Sequence, residues 1–188
     1  MTRLPILLII VPLLVVANGA RAQGGNVGVN SDAFVDQVGA ANSVAVAQSG
    51  AAVARIAQQG TNQTVQLTQH VVGTGSSARI DLDMRGLIND AVVTQHGVAV
   101  ATVAIAGTGN NLWLAQSGGV AGAANAVALA QSGIGNSATL AQYGSGNAIA
   151  LTQTHNDNVA AISQTGTNLA IKMTQDGGAR AIVSQVNR

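Results

Sequence analysis

Few side chains in this 188-residue chain could do chemistry. The imidazoles are His70, His96 and His155. As metal ligands they would need to converge with further donors at ligand spacing. His70 and His96 each directly follow a Gln, and His155 stands two residues after Gln153. No partner ligand accompanies them, so all three read as solvent-exposed turn residues several repeats apart. The carboxylates Asp81 and Asp83, flanked by Arg79 and Arg85, invite an acid/base reading because two carboxylates can share a cleft. These four residues alternate along the chain, however, which puts them on one face of a strand where they pair i to i+2. That makes a solvated charged stripe, and surface pairs of this kind are weak. There is no Cys, hence no disulfide and no thiolate metal site. The expectation is a protein without catalytic residues, metal or cofactor.

Amides, by contrast, are abundant and spaced. With Gln at position zero, an Asn or small polar residue is usual at minus six, aliphatics stand at minus four and minus two, and a Gly usually follows at plus two. The clearest arcs are Asn125 to Gln131, Asn136 to Gln142, Asn147 to Gln153 and Asn158 to Gln164, with the Gln residues eleven apart and Gln175 continuing the series. Gln185 closes it one residue early. Ser31 to Gln37, Asn42 to Gln48, Ala52 to Gln58, Gln63 to Gln69, Asn89 to Gln95 and Asn110 to Gln116 follow the same pattern. Two arcs are degenerate: Ser76 to Leu82 lacks the Gln, and Val100 to Ala106 carries Ala in its place. Fourteen arcs, or seven double units of about twenty-two residues, fill the chain from Ser31.

Two structures have this period. Eleven residues make three turns of a helix at about 3.67 residues per turn, the repeat of a right-handed coiled coil. Gly, Asn, Ser and Thr recur in the arcs and turns, and an interior Gly costs a helix about 1 kcal/mol relative to Ala. Glu is absent and there is one Lys, so a long solvated helix is excluded. A seven-residue strand with a four-residue turn fits instead, because positions minus six, minus four, minus two and zero then share one face. Two facing arcs form one rung, and rungs stack at about 4.8 Å. The reading is an all-β solenoid of about seven two-strand rungs with cross-β stacking. Its inward Asn42, Gln48, Gln58, Gln69, Asn89, Gln95, Asn110, Gln116, Asn125, Gln131, Asn136, Gln142, Asn147, Gln153, Asn158, Gln164, Gln175 and Gln185 form amide ladders that satisfy groups otherwise buried and unpaired. With only Phe34, Trp113 and Tyr143 as aromatics, the core must be a thin layer of Ala, Val, Ile and Leu. Val71 to Ile88 is the stretch expected to bulge, and Trp113 falls on the outward face.

The N-terminus is read separately. Met1-Thr2-Arg3, the apolar run Leu4 to Ala17 and Ala20-Arg21-Ala22 form a secretory signal peptide over 1–22, cleaved between Ala22 and Gln23. The run is too short and too interrupted by Pro5 and Pro12 to span a membrane comfortably. Residues 23–30 are a short linker and 31–188 the repeat domain. After cleavage six basic residues face seven Asp, a net charge near −1. That leaves no basic footprint for nucleic acid and little repulsion to keep chains apart. Asp81, Asp83 and Asp90 are candidate gatekeepers against premature aggregation.

The unit Asn-x-Ala-x-x-x-Gln-x-Gly-x-x-Asn, as in Asn136 to Asn147, resembles the curlin repeat, and the likeness extends over about 31–188. The resemblance implies a secreted, non-enzymatic subunit of curli-type amyloid fibres at the bacterial surface, serving adhesion and biofilm matrix. It implies self-association and pairing with other curlin subunits through end rungs that carry no polar cap, and passage through an outer-membrane secretion pore. Curlins carry a longer segment before the first repeat, which the pore recognises; here Gln23 to Asn30 stands in that place. The family's minor nucleator tends to have a basic last repeat, and Lys172, Arg180 and Arg188 lean weakly that way. Other classes fit less well. A non-fibrous surface adhesin needs a membrane-anchoring barrel, an ice-binding solenoid needs a flat rank of Thr, and a solenoid enzyme needs clustered carboxylates or a basic cleft.

Overall fold

The computed structural model describes residues 14–16, 21–24, 31–71, 78–120 and 123–187. Residues 1–13 and 17–20, within the expected signal peptide, 25–30, within the expected linker, and 72–77, 121–122 and Arg188 lie outside the described residues. Two parallel sheets form from alternate strands. The odd sheet runs β1 (Leu14–Val16), β3 (Asp32–Ala40), β5 (Ala52–Thr61), β7 (Ala78–Leu87), β9 (Ala99–Thr108), β11 (Asn125–Ile134), β13 (Ala148–Thr154) and β15 (Ala170–Asp176). The even sheet runs β2 (Arg21–Gly24), β4 (Ser43–Ser49), β6 (Thr64–His70), β8 (Asp90–Gly97), β10 (Asn111–Gly118), β12 (Ser137–Ser145), β14 (Val159–Thr167) and β16 (Arg180–Val186). β3 to β16 are the fourteen arcs, arranged as seven rungs of a β-solenoid. Among the described residues no helix is long and apolar enough to cross a membrane.

Period two governs burial. β9 alternates buried Ala99, Ala101, Val103 and Ile105 with exposed Val100, Thr102, Ala104 and Ala106. The inward aliphatics of both sheets, among them Ile80, Leu112, Leu114, Leu140 and Leu151, form one continuous core along the axis. Burying each such side chain contributes about 1.5–3 kcal/mol. Identical positions stack in register, so β12 sets Leu140 over Leu114 and under Ile162.

The two degenerate arcs are corrected here. β7 aligns Met84 with Gln58, and β9 aligns Ile105 with Met84 and with Gln131. Position zero is therefore Met84, not Leu82, and Ile105, not Ala106. A one-residue slip sends the inward set to solvent, and burial of Ala99, Ala101, Val103 and Ile105 selects the true register. The expected bulge is absent from β7, which pairs position by position with β5 and β9. The extra residues stand between strands instead. Ala52 pairs with Ala78 and Ala99 with Asn125, twenty-six residues apart, whereas Asn111 pairs with Asp90 at twenty-one. Two insertions, one between β6 and β7 and one between β10 and β11, absorb the difference, since added length between strands costs little entropy.

Gly stands at plus two in most arcs, with Val71, His155 and Asn187 the exceptions. Gly107 has φ 116°, and a Cβ there would lie 1.9 Å from the carbonyl oxygen of Gly133 on the next rung. Both the left-handed backbone and the contact exclude a side chain.

Candidate functional site

The inward Gln side chains make two columns of different continuity. In the even sheet Gln48, Gln69, Gln95, Gln116, Gln142, Gln164 and Gln185 form an unbroken ladder. Each Nε2 donates to the Oε1 of the next rung at 2.6, 2.8, 2.8, 2.8, 2.9 and 3.0 Å in turn. In the odd sheet Gln37 donates to Gln58 at 2.6 Å, Gln131 to Gln153 at 2.7 Å and Gln153 to Gln175 at 2.8 Å. Between those two segments stand Met84 and Ile105, both fully buried. The atoms bordering the gap, Nε2 of Gln58 and Oε1 of Gln131, are buried without a partner among the described residues. Several Gln also reach across the core: Nε2 of Gln142 donates to the carbonyl of Ala126, and that of Gln153 to the carbonyl of Ser137, both at 3.1 Å. The amides thereby tie the two sheets together at the edge of the apolar layer.

The inward Asn residues do different work from the expected amide ladder. Asn136 donates from Nδ2 to the carbonyl of Ser132, four residues back, and to that of His155 on the next rung. Its Oδ1 accepts the backbone N–H of Asn158 at 3.0 Å. Asn42, Asn89, Asn110, Asn125 and Asn147 likewise receive the next rung's N–H on Oδ1 and donate to turn carbonyls. They clamp turns to their neighbours rather than stacking amide on amide; Asn158, whose Nδ2 also reaches Oδ1 of Asn136 at 3.0 Å, does both. Gln63 occupies an Asn position and makes the same two bonds, to Gln59 and Gly86. Sequence reasoning left Gln37 and Gln63 out of the inward amides, though both sit at arc ends and are buried.

The charged residues lie outside this core. On β7 Arg79 pairs with Asp81 at 3.4 Å and Arg85 with Asp83 at 2.8 Å, all pointing outward. The Asp83 carboxylate raises the Arg85 guanidinium above its ordinary value by hydrogen bond and charge. Asp90 begins β8 on the other sheet, and its Oδ1 is buried with no partner among the described residues. Lys172 points out from β15 and Arg180 out from β16, on opposite faces of the solenoid, so no joint basic patch forms between them. Ala22 and Gln23 sit in β2 beside Val44 and Ala45. Trp113 points outward from β10, partly exposed.

The histidines are closer than their numbering suggests. His70 and His96, twenty-six residues apart, face each other on adjacent strands because the insertion before β7 takes up the difference. His155 contacts the Asp176 carboxylate, which it and the Thr154 hydroxyl hold below the usual carboxylate range. Among the described residues no group of three His, Asp or Glu converges as a metal site would require.

No curated protein and no solved structure matches the chain. Residues 122–154, which contain β11, β12 and β13, match the family model described as the curlin associated repeat. That family consists of structural fibre subunits. The matched strands carry the same inward Gln and Asn roles as β10 before them and β14 after them, and the likeness to that repeat is shown for residues 122–154.

Proposed function

We propose that this protein is a secreted structural subunit of a curli-type amyloid fibre at the bacterial surface, where such fibres support adhesion and biofilm matrix. The observation that carries the reading is that the two ends of the even Gln column, Gln48 and Gln185, are complementary, whereas Gln175 at the end of the odd column already donates to the carbonyls of Val159 and Ala179. At one end Oε1 of Gln37 and Oε1 of Gln48 are buried acceptors without partners among the described residues. At the other end Gln185 accepts from Gln164 but donates to nothing among the described residues, on a strand that ends its sheet. The inward face of this last rung, including Ile171, Met173, Ala181 and Val183, is only partly buried. A second copy seated head to tail continues both backbone ladders and supplies the missing amide partner. Head-to-tail contacts of this type do not close and so give filaments.

Removal of 1–22 at Ala22/Gln23 fits this reading, because β1 lies along β3, with Val15 opposite Gln37. Cleavage takes β1 away and opens that edge to the next subunit. Partners are then further copies and other curlin subunits, with an outer-membrane pore on the way out. No catalytic step is part of the reading. A non-fibrous adhesin repeat is the alternative, and it leaves the end rungs covered. Purified mature chain should become thioflavin-positive after a lag that sonicated fibres of the same chain abolish. A monomer that stays dye-negative through prolonged seeded incubation overturns the proposal.

A further inference from the structure

His70 ends β6 and His96 lies one residue from the end of β8, both on the outward face and both exposed. They are a register pair of neighbouring strands, with ring centroids 4.8 Å apart and planes inclined by 31°. The next residues in that outward column are Ser49 on β4 and Ser117 on β10. Two imidazoles therefore stand side by side with hydroxyls above and below, and no acidic residue occupies either flanking position. Their neighbourhood contrasts with that of His155, which directly follows β13 and lies against a carboxylate.

The separation suits a shared ion. Imidazole nitrogen binds a metal such as zinc at about 2.0–2.1 Å, and two cis ligands at tetrahedral or square angles then place their ring centroids about 4.4–5.1 Å apart. The strand spacing of the solenoid holds His70 and His96 inside that window, and because both rings are exposed they can turn their nitrogens towards a common point. The Ser49 hydroxyl meets Nδ1 of His70. With Nδ1–H donating to Ser49 Oγ, the lone pair stays on Nε2, the arrangement by which an outer partner orients a ligating histidine.

We propose that His70 and His96 form a two-imidazole chelate for a divalent transition-metal ion on the outer face of the even sheet. Solvent completes the coordination, since no third His, Asp or Glu converges with them among the described residues. Such an open nitrogen-and-oxygen set favours Cu²⁺, which forms the tightest divalent first-row complexes and accepts tetragonal N,O coordination. The expectation of no metal rested on histidines several repeats apart, and the register removes that premise for this pair. Bound metal bridges β6 to β8, and it stabilises the folded solenoid by linkage.

The test titrates untagged mature chain with Cu²⁺ alone, following affinity and the nitrogen hyperfine pattern of the copper resonance spectrum. One equivalent with two nitrogen ligands is expected. His70→Asn and His96→Asn should each weaken binding at least tenfold, and the double variant should add little to either. His155→Asn should stay within twofold of the parent. Circular dichroism of the outward-facing variants checks that they fold. Binding that survives the double variant belongs to the N-terminal amine or backbone and overturns the proposal, as does an equal loss in His155→Asn.

Discussion

At the scale of single residues, Met84 and Ile105 set the two faces of the core apart. Every other zero position from Gln37 to Gln185 is an amide, and these two leave Gln58 Nε2 and Gln131 Oε1 buried without a partner among the described residues. An unsatisfied buried polar group costs about 1–3 kcal/mol. Met84→Gln or Ile105→Gln alone satisfies one orphan, gives up a well-packed apolar side chain and leaves a new amide facing an apolar neighbour. Both together join the two halves of the odd ladder. The double variant should therefore exceed the sum of the singles by about 1–3 kcal/mol in a double-mutant cycle measured by urea unfolding; strict additivity would contradict the ladder account. The outward carboxylates act differently. Asp81→Asn, Asp83→Asn and Asp90→Asn in combination should shorten the assembly lag several-fold, because charges in a nearly neutral repeat oppose association. An unchanged lag would remove the gatekeeper role. The Gln columns were legible in the sequence because the residue type repeats at fixed offsets. The Asn role was not, since a side chain that bonds to backbone two strands of sequence away leaves no pairwise signature.

Strands and turns were legible to unequal degrees. Alternation over seven positions gave every strand from β3 to β16, and Asn, Gln and Gly marked their limits. Register slipped only at β7 and β9, where the Gln is replaced and adjacency in sequence was a poor guide. The Gly at plus two would have placed both correctly: Gly86 follows Met84 and Gly107 follows Ile105 by two residues, as Gly133 follows Gln131. Gly carries this information because its position is enforced by stacking, with backbone of one rung pressed against that of the next. Gly107→Ala should accordingly destabilise the solenoid by more than the roughly 1 kcal/mol of an ordinary Gly→Ala exchange. It should also raise amide exchange in β9 and β11 while leaving β15 and β16 protected; uniform protection in the variant would argue against stacked turns. The insertion between β6 and β7 hid the pairing of His70 with His96, because twenty-six residues do not look like one rung when the usual step is twenty-one or twenty-two.

For the whole molecule, the repeat makes each rung a template for the next, and the chain behaves as a one-dimensional stack whose ends resemble its middle. Seven rungs at about 4.8 Å give a subunit about 34 Å long along the axis. This length separates the present account from an ordinary in-register amyloid, in which each chain occupies a single layer of about 4.8 Å. Both forms give cross-β diffraction and bind thioflavin, so neither of those observations distinguishes them. Mass per length does, and scanning transmission electron microscopy of unstained fibres grown from the mature chain measures it directly. End-to-end solenoids predict one mature chain per about 34 Å of each filament. One chain per 4.8 Å layer would contradict the account.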